Sequence, residues 1–190
     1  MSTPLINHIK QFIDLDEHEE QILLAGTQRQ SVKKKEYLLK EGQVCKANYF
    51  VEKGCLRIFF IGEKGEEQTA YFAIENWWIS DYASLLSQSP SSFYIQSVEA
   101  SEVIVFPYAH QEALSKGIPQ TERYFRILMQ KAYGASQMRI KYLYSLSREE
   151  MYRHFQRQYP DFVNRIPQYM LASFLGFTPE YLSEIRKKKI

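Results

Sequence analysis

A chain of 190 residues, 45% hydrophobic and 24% charged, without repeats or low-complexity tracts, is sized for one or two packed domains rather than a fibrous or disordered protein. No apolar run approaches the ~18 residues of a membrane span, MSTPLINHIKQFIDLDEHEEQ lacks the parts of a signal peptide, and two cysteines are too few for a disulfide framework or for an iron–sulfur cluster unaided. The net charge of +2 divides unevenly, since residues 1–115 carry 10 Lys+Arg against 16 Asp+Glu and residues 116–190 carry 14 against 6.

Residues 4–26 place Leu5, Ile9, Phe12 and Ile13, then Ile22 and Leu23, at helical intervals. Asp14 or Asp16 is positioned to cap a second helix starting near Glu17, and Gly26 to stop it. From 31 to 108 the pattern changes to short β-rich runs bounded by turn signals. KEYLLKEG ends at Gly42, NYFVEKG ends at Gly54, CLRIFFIGEKGEEQTAYFAI turns at EKGEE, and SSFYIQSVEASEVIVFP turns at Glu99-Ala100-Ser101. Strands this closely spaced predict an antiparallel sandwich or roll. The stretch ENWWISDYASLLSQSPSS interrupts them with a turn of helix at Tyr82 to Leu86. Trp77 and Trp78 are adjacent and cannot both point inward on a strand, so one belongs on a surface, a pocket rim or a domain contact.

Residues 119–146 read as one long helix with Pro119 in its first turn. Tyr124, Leu128, Ala132, Ala135, Arg139 and Tyr142 form a stripe at three- and four-residue steps. Such a helix spans roughly 40 Å, longer than a small core needs, so the stripe is expected to pack against a second copy; a plain core helix is the other reading. A polar hinge follows at Ser145 to Ser147, then an amphipathic helix, REEMYRHFQRQY, stopped by Pro160. The basic balance of this part suits a phosphate-rich partner, whose counterions are released on binding, and equally suits solvated helices.

The closing stretch QYMLASFLGFTPEYLSEIRKKKI has the parts of a helix-turn-helix. Ala172 is the small residue at the crossing, and Gly176 can take the left-handed conformation that ends the first helix. Thr178 caps the second helix, Pro179 takes its first position, and Leu182 and Ile185 face inward. The same spacing also occurs in helical hairpins that never touch DNA.

The order of parts resembles the Crp–Fnr family of transcription regulators over nearly the whole chain. In the roll the resemblance rests on LLKEGQ, YFVEKGCLRIFF and IQSVEASEVIVF; at the end it rests on LASFLGFTPEYLSEIRKK. It implies an α+β fold: an N-terminal antiparallel β-roll of the cyclic-nucleotide-binding type (1–115), a long dimerisation helix (116–146), and a C-terminal helix-turn-helix (147–190), winged-helix-like with the wing truncated. It also implies a cytoplasmic homodimer on double-stranded DNA carrying an inverted repeat, with RNA polymerase as a further candidate partner and no membrane. On this basis Pro179, Glu180, Ser183, Glu184 and Lys187 face the major groove, and Thr178, Tyr181, Arg186, Lys188 and Lys189 reach phosphates. Glu180 can accept from a cytosine amino group. Glu184 departs from the family pattern, which often has a basic or small residue on this face, and a frayed, solvated end is the other reading of the three lysines.

Cyclic-nucleotide-binding members carry a Gly-Glu and, further on, an Arg-Ser that neutralises the phosphate. Here Ile79-Ser80 or Ser80-Asp81 stands at the first place and Ser91-Ser92-Phe93 at the second, with no arginine between Arg57 and Arg123. Burying a phosphate without a cation is costly, so neither cyclic AMP nor cyclic GMP is expected. Trp77, Trp78, Ser80, Asp81, Ser91 and Ser92 are candidates to line a pocket for an unknown effector. His8, His18, His110 and His154 are scattered, without metal-ligand spacing, and no Gly-rich loop, G-x-S-x-G or Cys–His pair occurs. A β-roll enzyme is therefore disfavoured and no catalytic residue is assigned. A ligand-sensing dimer whose last helices dock on a protein is the alternative function.

Overall fold

The structure, a computed structural model, describes residues 3–187. Two short helices open the chain. α1 (Pro4–Ile9) starts with proline after Thr3, whose Oγ1 accepts the Ile6 N–H at 3.2 Å. α2 (Glu17–Ala25) starts at Asp16 in a reciprocal capping box: Asp16 accepts the Glu19 N–H at 2.8 Å, and Glu19 accepts the Asp16 N–H at 3.0 Å. That arrangement selects Asp16 over Asp14 as the cap.

The strands follow: β1 (Gln28–Val32), β2 (Tyr37–Leu39), β3 (Ala47–Lys53), β4 (Leu56–Ile61), β5 (Glu67–Ala73) and β6 (Trp78–Ile79). Then come α3 (Tyr82–Ser87), β7 (Tyr94–Ser97), β8 (Ser101–Pro107) and α4 (Tyr108–Gly117). They form two four-stranded sheets in the orders β1-β8-β3-β6 and β2-β7-β4-β5. β3 lies antiparallel to β8 with Phe50 opposite Ile104, and β4 antiparallel to β7 with Ile58 opposite Ile95. Between β3 and β4 the chain turns at Gly54 (φ 103°), where an added Cβ would sit 2.2 Å from Ser101 Oγ. Only glycine fits that backbone and that gap.

The remaining helices are α5 (Gln120–Ser145), α6 (Arg148–Gln158), α7 (Pro160–Arg165), α8 (Gln168–Leu175) and α9 (Pro179–Lys187). Pro160, expected only as a stop, also opens α7, because its fixed φ suits a first helical turn. β6 and α4 had no clear sequence pattern, one being two residues long and the other weakly amphipathic.

Two compact units result, and they divide the chain elsewhere than at 115/116 and 146/147. The first comprises the residues up to Phe60 with Tyr71–Gln130; the second comprises Ile61–Ala70 with the residues from Lys131 onward. The start of α5 thus packs with the roll, and the tip of the β4–β5 hairpin packs with the C-terminal helices. The core of the first unit joins Leu5, Ile6 and Ile9 of α1 to Phe50, Ile104, Phe106, Leu114 and Tyr124. Each such side chain, fully buried, contributes roughly 1.5–3 kcal/mol.

Candidate nucleic-acid interface and ligand site

The α8–α9 pair is built by local rules. Gly176 adopts φ 75°, the Phe177 N–H returns to the Ala172 carbonyl at 2.8 Å, and the Gly176 N–H to that of Ser173 at 3.2 Å. This double bond pattern is a Schellman stop, which caps the last carbonyls of α8. Thr178 Oγ1 accepts the Tyr181 N–H at 3.2 Å and starts α9. Leu182 and Ile185 are 0% and 1% exposed, so they anchor α9 on the unit's core. Thr178, Pro179, Glu180, Glu184, Arg186 and Lys187 are exposed, while Tyr181 and Ser183 are half-buried. The Tyr181 ring is held by an edge contact with Phe177 and by the Arg148 guanidinium, 5.5 Å from its centroid. Lys188 and Lys189, assigned to phosphates, lie outside the described residues.

The hairpin tip is fastened to α8. Ser173 Oγ accepts the Thr69 N–H at 2.7 Å and donates to the Glu67 carbonyl at 2.7 Å. Arg139 of α5 donates to the carbonyls of Ala70 and of Phe174, the latter at 2.9 Å, and its guanidinium lies 4.3 Å from the Phe174 ring centroid. Burial pushes the Arg139 pKa below its usual value, and the two carbonyls with the aromatic face offset part of the lost hydration.

The stripe expected to contact a second copy is engaged within the protomer instead. Tyr124 is 1% exposed; its hydroxyl accepts the Trp78 indole N–H at 2.8 Å and bonds His8 Nδ1 at 2.8 Å. Leu128 packs on the core of the first unit, Arg139 holds the hairpin tip, and Tyr142 stacks on His154 at 4.5 Å; only Ala132 and Ala135 are exposed. α5 carries a second apolar stripe, Met129, Tyr133, Ile140 and Tyr144, which is 37, 67, 56 and 90% exposed. At about 100° per residue these four fall within roughly 60° of one another, on the side away from Tyr124. Three- and four-residue spacing fits both stripes, so spacing could not say which one faces inward.

The residues proposed as a pocket separate. Trp77 is exposed, as is Ser92, whereas Trp78 sits among Phe50, Phe106 and Phe125 at centroid distances of 5.2, 5.6 and 5.9 Å. Asp81, 5% exposed, caps α3 by accepting the N–H groups of Ala83 and Ser84 at 3.1 and 3.2 Å, and its other oxygen takes the Ser91 hydroxyl at 2.6 Å. Ser80 Oγ donates to the Ala47 carbonyl at 3.1 Å and meets Cys45 Sγ at 3.3 Å. Ser80, Asp81 and Ser91 are thus buried and bonded, the last two to each other. Sequence reasoning missed Arg57. It is 2% exposed, gives Nε and Nη2 to Gln96 Oε1 at 3.1 and 2.6 Å, and stacks on Phe59 at 4.0 Å. Its place in the apolar run LRIFF was the available signal.

The sequence profile of the cyclic nucleotide-binding domain matches residues 29–116. The anaerobic regulatory protein of Pasteurella multocida is 24% identical over 170 residues, which is 83% of this chain and 61% of that protein. This chain therefore spans less than two thirds of that relative's length. The c-di-GMP-responsive global regulator CLP of Xanthomonas campestris superposes with a TM-score of 0.74 at 13% identity, covering 91% of each chain. A crp/fnr-family regulator from Eubacterium rectale does so with a TM-score of 0.70 at 16% identity, covering 90% of this chain and 82% of that one. The chain belongs to the Crp–Fnr family.

Within this Crp–Fnr chain the cassette region is self-satisfied. Asp81 takes up N–H groups at the start of α3 that an anion would otherwise use, so a phosphate brought there meets a carboxylate already in place. The donor set does not suit an iron–sulfur centre: Cys45 and Cys55 are both buried, two short of the usual four thiolates. Among the described residues no group of three or more His, Cys, Asp or Glu is arranged to hold a metal ion, and no helix is long and apolar enough to cross a membrane.

Proposed function

We propose that this chain is a DNA-binding transcription regulator that works as a homodimer, with α9 as the recognition helix and the roll as sensor. The observation that carries this reading is α9 itself: its apolar side is anchored by Leu182 and Ile185, and its other side presents Thr178, Glu180, Glu184, Arg186 and Lys187 to solvent. Such a helix can lay its N-terminal residues in a major groove, with basic residues of its last turn near the backbone. Two copies joined along Met129, Tyr133, Ile140 and Tyr144 give a two-fold axis, hence an inverted repeat with half-sites about one turn of duplex apart. Glu180 and Glu184 favour cytosine amino groups over guanine, and the second carboxylate weakens sequence-independent affinity. RNA polymerase is the candidate second partner of the bound dimer. Neither cyclic AMP nor cyclic GMP is its effector on this reading, because Asp81 and Ser91 fill the cassette; a micromolar constant for either would overturn that part.

Selection of bound fragments from a random duplex pool, at low and moderate salt, tests the reading. An enriched inverted repeat whose binding weakens steeply with salt is expected. Absence of enrichment at either salt, with the protein folded and dimeric, would instead assign α8 and α9 to a protein partner.

A further inference from the structure

The first unit contains a cavity of about 320 Å³ that the proposed function does not use. Its walls come from β3 at Asn48, β6 at Trp78, α3 at Leu85, α4 at Gln111, and α5 at Phe125 and Leu128. Most of that lining is carbon. One polar group stands out. Asn48 is 3% exposed, and its Nδ2 donates to Gln111 Oε1 at 2.8 Å, while its Oδ1 is buried without a hydrogen-bond partner. A buried carbonyl left unpaired is unfavourable. A single water set against Leu85, Phe125 and Leu128 would be short of the two to four polar partners that hold one in place. Around the rim, Leu86 is 75% exposed and Met129 37% exposed, an apolar mouth that the protomer leaves uncovered.

We propose that this cavity binds a small, mainly apolar molecule bearing one neutral hydrogen-bond donor, such as an alkylphenol, whose hydroxyl satisfies Asn48 Oδ1. The volume lies at the low end of ligand pockets, about 300–1,000 Å³, so the occupant is small. The acceptor selects a donor head. A carboxylate, which only accepts, meets Asn48 Oδ1 with the wrong polarity, and Glu112 in the lining adds like charge. The site is separate from the cassette, because Asp81 and Ser91 bond each other and neither lines it. It rests on the first unit alone and does not depend on DNA binding.

The test is calorimetric titration of the full chain with 4-pentylphenol and with its methyl ether, 4-pentylanisole, which has the same body and no donor. Micromolar binding of the phenol is expected, with the ether weaker by about tenfold, the worth of one buried hydrogen bond. Asn48→Leu should bring the phenol to the level of the ether, and Leu86→Trp, at an exposed position on the mouth, should weaken both. Should Asn48→Leu fail to fold, the phenol-to-ether ratio in the unaltered protein still decides. No heat from millimolar phenol, or equal binding of phenol and ether, would overturn the proposal. Uptake seen only when Ile140→Glu opens the outer stripe of α5 would overturn it too, by assigning the mouth to a second copy of the chain.

Discussion

Replacing Ser173 by alanine isolates the fastening of the hairpin tip. The Ser173 hydroxyl accepts from Thr69 N–H and donates to the Glu67 carbonyl, both at 2.7 Å. Glu67 is exposed, so its carbonyl turns to water at little cost, but Thr69 is 3% exposed and its N–H loses its acceptor without gaining water. A buried donor left unpaired costs ~1–3 kcal/mol. Alanine in α8 returns roughly 0.5 kcal/mol through better helix propensity, so the desolvated amide decides the sign. The net loss of about 0.5–2.5 kcal/mol raises opening of the tip by roughly 2- to 70-fold, at 1.4 kcal/mol per factor of ten. Amide hydrogen exchange of peptides covering 61–70, followed by mass spectrometry, reads this directly. Ser183→Ala, a change of the same chemistry on α9, should leave those peptides unchanged. Exchange of 61–70 in Ser173→Ala within a factor of two of the unaltered protein, with Arg139 intact, would show that the serine is not what holds the tip.

Tyr124→Phe deprives the Trp78 indole N–H and His8 of their shared partner and should lower unfolding free energy by ~1–3 kcal/mol, read by urea titration with the shift in Trp fluorescence as a second probe. Burial pushes the Tyr49 phenol up to about 12 from the ordinary 10.0, so the neutral form is favoured in the fold. Its stabilisation is complete below pH ~10 and is lost as pH rises from there through about 12, by up to roughly 2.7 kcal/mol. Tyr71 and Tyr124 are raised for the same reason. Urea midpoints between pH 9 and 11 should therefore fall less steeply in Tyr49→Phe, and an unchanged slope would contradict the assignment. Tyr133→Glu with Ile140→Glu places charge on the outer stripe of α5 and should convert dimer to monomer by light scattering at micromolar concentration, whereas a retained dimer would move the interface elsewhere.

What the sequence disclosed follows from how far each signal reaches along the chain. The α8–α9 turn was legible because Gly176, Thr178 and Pro179 act within four residues of themselves: left-handed φ, cap and first turn. The capping box at Asp16 and Glu19 is equally local, and so are the glycine-ended strands around Gly54. The side of α5 that faces inward was not legible, since the deciding contacts are Tyr124 with His8 and Arg139 with the Ala70 carbonyl, 116 and 69 residues away. Arg57 was hidden for the same reason. Nothing near it in sequence explains a buried guanidinium; Gln96, 39 residues on, does. The identities of Ser80, Asp81 and Ser91 were read correctly as a departure from the cyclic-nucleotide cassette, but that Ser91 closes on Asp81 required the coordinates.

Gly134 offers a test of whether α5 must bend. The helix runs unbroken over 26 residues, and the boundary between the compact units falls at Gln130 and Lys131, four residues before this glycine. Glycine inside a helix is less stable than alanine by roughly 0.5–1 kcal/mol, because the unfolded chain gains freedom. Sterics do not require it here: an added Cβ at Gly134 meets nothing within 4 Å, and its φ is not in the left-handed region. Gly134→Ala should therefore raise unfolding free energy by about 0.5–1 kcal/mol. If the glycine serves only as a helical residue, DNA affinity and its response to any effector stay unchanged. If it is a flexible point through which the sensor acts on α9, the variant is more stable yet responds less, because the helix resists the bend. A destabilised variant would refute the premise of open space at Gly134, and would point to close approach of a second chain there. Thermal unfolding of the variant, set beside its duplex affinity, separates the three outcomes.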